Sequence, residues 1–266
     1  PPRSTPSNSS AASDVYKRQG RVFPSLTKGV GMIPLRDNIP SRTFPVITVS
    51  LIAANSLVFL YEVSLGPRVV ELVMRYGLIP VRFFYTLARN PFNLDDALVP
   101  IFTSMFLHGG WAHIIGNMIF LWIFGDNVED RMGHFRFLIF YLLCGVSAAM
   151  AQAFTHPASG VPMVGASGAI SGIMGAYFLL FPTARILTLV PVFIFLQIAE
   201  VPALFFLGLW FLMQFVNGVF SLGFQHVMGS GVAWWAHIGG FVAGMVLVWF
   251  FKRPERKRYH DEYQPW

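Results

Sequence analysis

Cysteine and charge are what this chain of 266 residues has least of. A single cysteine, Cys144, excludes an intrachain disulfide framework, and its place within an apolar run suits a packed thiol. Asp, Glu, Lys and Arg make up 12% of the residues against 55% hydrophobic, and the mean hydropathy is +0.56. That balance excludes an ordinary soluble globular domain and points to a membrane protein that crosses the bilayer several times. Between Pro100 and Phe251 the only charged residues are Asp126, Glu129, Asp130, Arg131, Arg136, Arg185 and Glu200, and they fall between the apolar runs, where loops and helix ends belong. The chain also lacks an H-E-x-x-H motif, and His108 with His113 makes at most a pair where a catalytic zinc needs three protein ligands. The G-x-S-x-G of soluble hydrolases fails because Ala169 takes its last position and no parallel-sheet pattern surrounds it. No metal, nucleotide or prosthetic group is implied.

Long apolar runs fill the space that charge leaves. Six are read as membrane-crossing helices: Pro45 to Leu65, about Trp111 to Asn127, about Phe135 to Phe154, a short Ser167 to Phe181, Leu204 to Phe220, and Ala233 to Phe251. The stretch Leu187 to Leu196 is apolar as well, but Pro191 and short connections make it a re-entrant or interfacial segment in this reading. Arg36 and Arg42 precede the first run and KRPERKR, from Lys252 to Arg258, follows the last, which places both termini on the cytoplasmic side. The loop from Gly66 to Val99 opposes that rule with Arg68, Arg75, Arg82 and Arg89, and its VRFFYTLAR suits a segment partly embedded in the interface. The net charge of +6 gathers largely at the membrane-flanking ends, where anionic lipid headgroups, and not nucleic acid, are the natural partner.

Polar side chains inside such runs are expensive and by default functional. Three runs carry them: HGGWAHIIGN (108–117), GASGAISG (165–172) and WAHIGGFVAG (235–244). With the N-terminus inside, the second, fourth and sixth runs all start at the external face, so His113, Asn117, Ser167 and His237 fall within roughly 10 Å of one membrane surface at 1.5 Å per residue. An alcohol needs a base and a neutral imidazole serves as one, so Ser167 with His237 would form a dyad. Ser171 shares the helix face of Ser167 and leaves a second candidate serine. No Asp or Glu lies in the external third of these runs to act as a third member. His113, Asn117 and the first N–H groups of the fourth helix are candidate donors to an oxyanion. Gly168, Gly172 and Gly175 behind Ser167, and Gly240 and Gly244 behind His237, let two membrane helices approach closely. His134, His156, His226 and His260 fall in loops or tails, where an exposed, non-catalytic role is expected.

The ordered set of HGGWAHIIGN, GASGAISG and AHIGGFVAG, with GDNVEDRMG (125–133) after the second run, resembles a bacterial rhomboid, a family of intramembrane serine proteases. The resemblance runs from about Met32 to the end of the sixth run. It implies an all-α, six-helix bundle of the rhomboid type in the bacterial inner membrane, with transmembrane segments of other proteins as substrates. It implies Ser167 as nucleophile, His237 as base, and His113 and Asn117 around the oxyanion. Glu129 and Arg131 would belong to a structural network at the cytoplasmic end of the second helix, His108 would support the external loop, and Gly165, Gly168, Gly240 and Gly244 would support the site structurally. Some members carry a Tyr four residues after the nucleophile, packed against the base; Ser171 stands there in this chain. A catalytically silent rhomboid-like chaperone or trafficking factor is the alternative within this resemblance, although such relatives usually lack the Ser or the His. A small transporter is the alternative from another class, weakened by the lack of intramembrane acids.

Residues 1–31 are Pro/Ser-rich, lack an apolar core segment, and read as a disordered, non-native extension before a natural start at Met32, in which SAASDVYKRQ (10–19) resembles translated adapter sequence. Residues 32–252 form the expected catalytic domain and 253–266 a basic cytoplasmic tail.

Overall fold

The computed structural model describes residues 32–89, 92, 94–192, 195–223 and 232–254. The segment before Met32, the basic tail beyond Pro254, His226 and His260 lie outside the described residues.

Helices form on each of the six apolar runs: α1 (Val46–Ser64), α5 (Trp111–Met132), α6 (His134–Thr155), α7 (Ser167–Leu180), α8 (Ala203–Gly223) and α9 (Trp234–Phe251). Three shorter helices, α2 (Val69–Tyr76), α3 (Pro80–Arg89) and α4 (Leu94–Thr103), occupy the connection between α1 and α5. Among the described residues, α1, α6, α8 and α9 are long and apolar enough to cross a bilayer, and α5 makes a fifth when joined to the α4 segment, from which it is bent by 81°. With 14 residues, α7 spans only about 21 Å, short of a hydrocarbon core of about 30 Å. Other helices compensate for that shortness. Every residue from Gly168 to Tyr177 is buried, so α7 runs through the middle of the bundle with protein on all sides.

The core around α7 combines large rings with very small residues. Phe124 from α5, Phe137, Phe140 and Tyr141 from α6, Tyr177 from α7 and Phe206 from α8 are buried together. Hydrocarbon offers no hydrophobic drive to helix association, so dispersion and fit must supply it. Gly133, at φ +81°, lets α5 turn directly into α6 without a loop, a backbone conformation that an L side chain rarely adopts.

The α2–α4 connection is a docked unit with a small core of its own, in which Leu78, Phe83, Ala97 and Ile101 pack against Ala149 of α6. Arg82 gives this unit its shape. Its guanidinium donates to the carbonyls of Met74, Arg75 and Gly77, which would otherwise be orphaned at the C-terminal end of α2. Backbone pairs then fasten the unit to the segment leading into α7: Leu78 and Met163 exchange hydrogen bonds at 3.1 and 2.8 Å, Val81 N–H donates to Ser159 O at 3.0 Å, and Gly165 N–H donates to Ser104 O at 2.8 Å. The first loop thereby holds the approach to Ser167.

The stretch read as re-entrant or interfacial takes the form of an antiparallel hairpin, β2 (Arg185–Val192) with β3 (Phe195–Pro202). β1 (Ile33–Asp37) adds to it in the order β1-β2-β3. A short apolar run looks alike in either state, and the β-branched and aromatic residues of this one decide for strands. Pro191 is tolerated because it lies past the end of the β1 pairing, where β2 has a partner on one side only.

Candidate active site

The N-terminal ends of α5, α7 and α9 converge. Ser167 is the first residue of α7 and His237 lies one turn into α9, and Ser167 Oγ stands 2.8 Å from His237 Nε2. Both side chains are half-buried. Ser171, the other candidate, is 1% exposed and donates its hydroxyl to the Ser167 carbonyl at 2.6 Å, a bond within its own helix. The imidazole thus meets one serine.

The remaining ring nitrogen of His237 has a partner that a search for carboxylates could not find. His237 Nδ1 lies 2.8 Å from Oε1 of Gln214, in the middle of α8. Trp210, one turn earlier on α8, faces the same ring at 5.9 Å between centroids, and Trp234 meets it edge-on at 6.4 Å. Rings from α8 and α9 thus pack against the imidazole, while Ser171 stands four residues after the serine. A single glutamine in a 21-residue apolar helix, four residues after a tryptophan, was the available signal.

His113 and Asn117, one turn apart on α5, reach the same place from the other side. Gly109 N–H donates to His113 Nδ1 at 3.3 Å, which assigns the ring proton to Nε2. That nitrogen and Asn117 Nδ2 both border Gly165: a Cβ built there would come within 2.6 Å of His113 Nε2 and 3.6 Å of Asn117 Nδ2. Gly165 also has φ +122°, so the residue before Ala166 is glycine for two independent reasons, backbone conformation and space. Asn117 is 7% exposed and its amide nitrogen has no hydrogen-bond partner among the described residues. Two N–H donors therefore border Gly165, two residues before Ser167, where α7 opens with N–H groups that have no partner within their helix.

Register between α7 and α9 comes from glycine. A Cβ on Gly240 would overlap the Gly168 carbonyl oxygen, and one on Gly244 would overlap that of Gly172. From the other side, a Cβ on Gly175 would overlap the Phe241 carbonyl, while one on Gly168 would press on Ala148 of α6 at 2.6 Å. Backbone therefore lies on backbone along the two helices that carry the serine and the histidine.

His108 sits under the loop before α5, 1% exposed, with its ring against His113 at 5.1 Å and Phe59 at 6.5 Å. Its backbone N–H donates to the Glu62 carboxylate at 3.1 and 3.2 Å, which ties the loop to α1. At the opposite end of the bundle, Glu129 accepts from Ile47 N–H (2.9 Å), Thr48 N–H (2.8 Å) and Thr48 Oγ1 (2.7 Å), and contacts His134 Nδ1 at 2.6 Å. It caps α1 from 81 residues away, a carboxylate at the positive end of a helix. Arg131 stacks its guanidinium over Phe181 at 5.9 Å, and its carbonyl accepts from Arg253 N–H at 2.8 Å. Asp37 of β1 accepts from Tyr177 of α7 (2.5 Å) and Asn127 of α5 (2.8 Å). Burial raises the Asp37 pKa, and the Tyr177 hydrogen bond opposes that rise.

Residues 95–254, more than half of the chain, match the Rhomboid domain family. The chain belongs to the rhomboid family and is an integral membrane protein of that mostly helical type. It is 32% identical over 133 residues to the rhomboid protease GluP of Bacillus subtilis, covering 50% of this chain and 24% of that protein. It is 27% identical over 169 residues to the mitochondrial rhomboid protein 1 of Saccharomyces cerevisiae, covering 60% of this chain and 44% of that protein. A third similarity, 41% over 71 residues, is to the chloroplastic rhomboid-like protein 11 of Arabidopsis thaliana, covering 27% of this chain and 25% of that protein. The chain thus spans less than half the length of these relatives.

Proposed function

We propose that this protein is a serine endopeptidase that cleaves transmembrane segments of other membrane proteins within the bilayer. The observation that carries the reading is the 2.8 Å approach of His237 Nε2 to Ser167 Oγ across two helices, 70 residues apart in sequence. Family membership and relatives named as proteases support it.

The chemistry follows from the residues in place. Ser167 Oγ attacks the scissile carbonyl carbon while its proton passes to His237 Nε2. The carbonyl oxygen gains the negative charge and is met by His113 Nε2–H, Asn117 Nδ2–H and the opening N–H groups of α7, whose helix dipole has the favourable sign. Collapse of the tetrahedral species breaks the C–N bond, and the imidazolium returns its proton to the leaving amine. Water then attacks the acyl-serine with His237 again as base. A helical substrate hides its carbonyls in its own hydrogen bonds, so it must unwind locally before attack, and small or helix-weakening residues near the cleavage point favour that. The unpaired amide of Asn117 suits a group whose partner arrives with the reaction.

In this reading, six helices cross the membrane, the serine end faces outward and both termini lie in the cytoplasm, as the basic residues Arg36, Arg42 and Lys252 to Arg258 support. A bacterial inner membrane is the compartment proposed. Cleavage of a fluorescent transmembrane reporter in detergent or liposomes tests the activity. Ser167→Ala should abolish it; cleavage that persists in that variant would mean that Ser167 is not the nucleophile, and a wild-type protein that fails to cleave would leave a helix-binding chaperone as the better account.

A further inference from the structure

We propose that Gln214 is the positioning residue of the dyad, its side-chain carbonyl holding the His237 ring so that the proton sits on Nδ1 and the Nε2 lone pair faces Ser167. The inference rests on the serine-protease reading. A neutral imidazole carries one proton, and it can serve as base toward Ser167 only if that proton is on the far nitrogen. Gln214 Oε1 can only accept, so its 2.8 Å contact selects that tautomer. The reversed amide would donate to Nδ1, move the ring proton to Nε2 and aim it at the hydroxyl, which would leave the base without a lone pair for the serine proton.

The surroundings of Gln214 separate it from the other polar residues of α8. Asn217 and Ser221 are satisfied within their own helix, by Met213 O at 2.7 Å and Gly218 O at 2.6 Å. Gln214 reaches across to another helix although it is 7% exposed in an apolar segment, where a polar group needs a partner. Trp210, one turn away on the same face, presses on the same ring. One stripe of α8 therefore sets both the tilt of the imidazole and its proton. An amide does so without a charge, which a carboxylate at this depth would have to carry. The titratable groups facing His237 are His113 from α5 and the Ser167 hydroxyl from α7, while α8 contributes Trp210 and Gln214 and no acid.

Three variants of the full chain test this, each assayed for reporter cleavage, for the rate of fluorophosphonate labelling of Ser167, and for thermal unfolding. Gln214→Leu keeps the bulk and removes the acceptor; kcat and the labelling rate should fall together about tenfold, the worth of roughly one neutral hydrogen bond, with KM unchanged. Gln214→Asn, one methylene short of the ring, should behave like Gln214→Leu. Gln214→Glu restores an acceptor and adds charge, so kcat should recover at neutral pH while the acid limb of its pH profile moves upward by about one unit. A merely structural glutamine would give parallel losses in all three variants, with lowered unfolding temperatures and an unmoved pH profile, and that result would overturn the proposal. So would wild-type kcat and labelling in Gln214→Leu. If Ser167→Ala still cleaves, the serine-protease reading itself falls and takes this inference with it, an outcome that the labelling control separates from the other two.

Discussion

The two ends of the bundle use buried polar groups in opposite ways. At the Glu129 end they are saturated: one carboxylate takes three hydrogen bonds from α1 and a fourth contact from His134, and Asp37 binds two helices to a strand. At the Ser167 end capacity is left over: Asn117 Nδ2 has no partner among the described residues, and His113 Nε2 faces the gap that Gly165 leaves. Saturated networks fix a structure, while donors held ready and unpaired cost stability and pay back only when a charge develops beside them. Burial of polar groups therefore does not set the two ends apart, and neither does an unpaired atom alone, since Asn55 Oδ1, Tyr141 OH and Gln152 Oε1 are also buried without partners among the described residues; what distinguishes the Ser167 end is that an unpaired donor borders Gly165, two residues before a serine in contact with a histidine.

Variants at the two ends can break that contrast. The largest effect is expected from Ser167→Ala, which should lower reporter cleavage by at least about 10⁴-fold with unfolding temperature unchanged. Asn117→Ala should lower kcat about 10²-fold, as loss of one oxyanion donor does, and it should not destabilise the protein, because the amide nitrogen forms no bond to lose. A large drop in unfolding temperature for Asn117→Ala would put that residue with Glu129 and erase the distinction. Gly244→Ala, which drives a methyl into the Gly172 carbonyl, should cost about 1–3 kcal/mol of stability and misalign the dyad, so unfolding temperature and kcat should fall together. Glu129→Gln should lose about 1–3 kcal/mol by removing the charge that caps α1, with kcat per folded molecule preserved.

The smallest effect concerns Asp37. Its pKa is raised in the folded state, so the native protein holds the proton more tightly than the unfolded chain. Stability from this group therefore falls as pH rises from the ordinary carboxylate value of 3.8 through the raised one, and is regained on acidification. Asp37→Asn should flatten that part of the curve of unfolding temperature against pH; an unchanged curve would show that Asp37 does not titrate in that range.

Much of this site could be read from residues alone. Ser167, His237, His113 and Asn117 are conspicuous because each is a polar side chain near the start of a largely apolar run, and a common depth follows from counting residues. Gln214 is not legible as a partner of His237 because an uncharged amide among apolar residues lacks the signature of an acid, and its 2.8 Å contact with the ring arises only through packing. The capping of α1 by Glu129 could not be read, since partners 81 residues apart meet only through packing. The hairpin 185–202 is less legible because a short apolar run gives no periodicity that separates strand from helix, and its β-branched and aromatic residues form strands only once β2 pairs with β1 and β3.

Composition and the placing of a few polar residues in apolar runs determined by themselves that this chain lives in a membrane and which side chains are costly enough to need a reason. That information is local, since each residue's cost depends on its own surroundings. Which of those groups touch was decided by tertiary structure alone, because the α7–α9 register rests on glycines pressed against carbonyl oxygens of the facing helix, and the two ring nitrogens of His237 find their partners on α7 and α8.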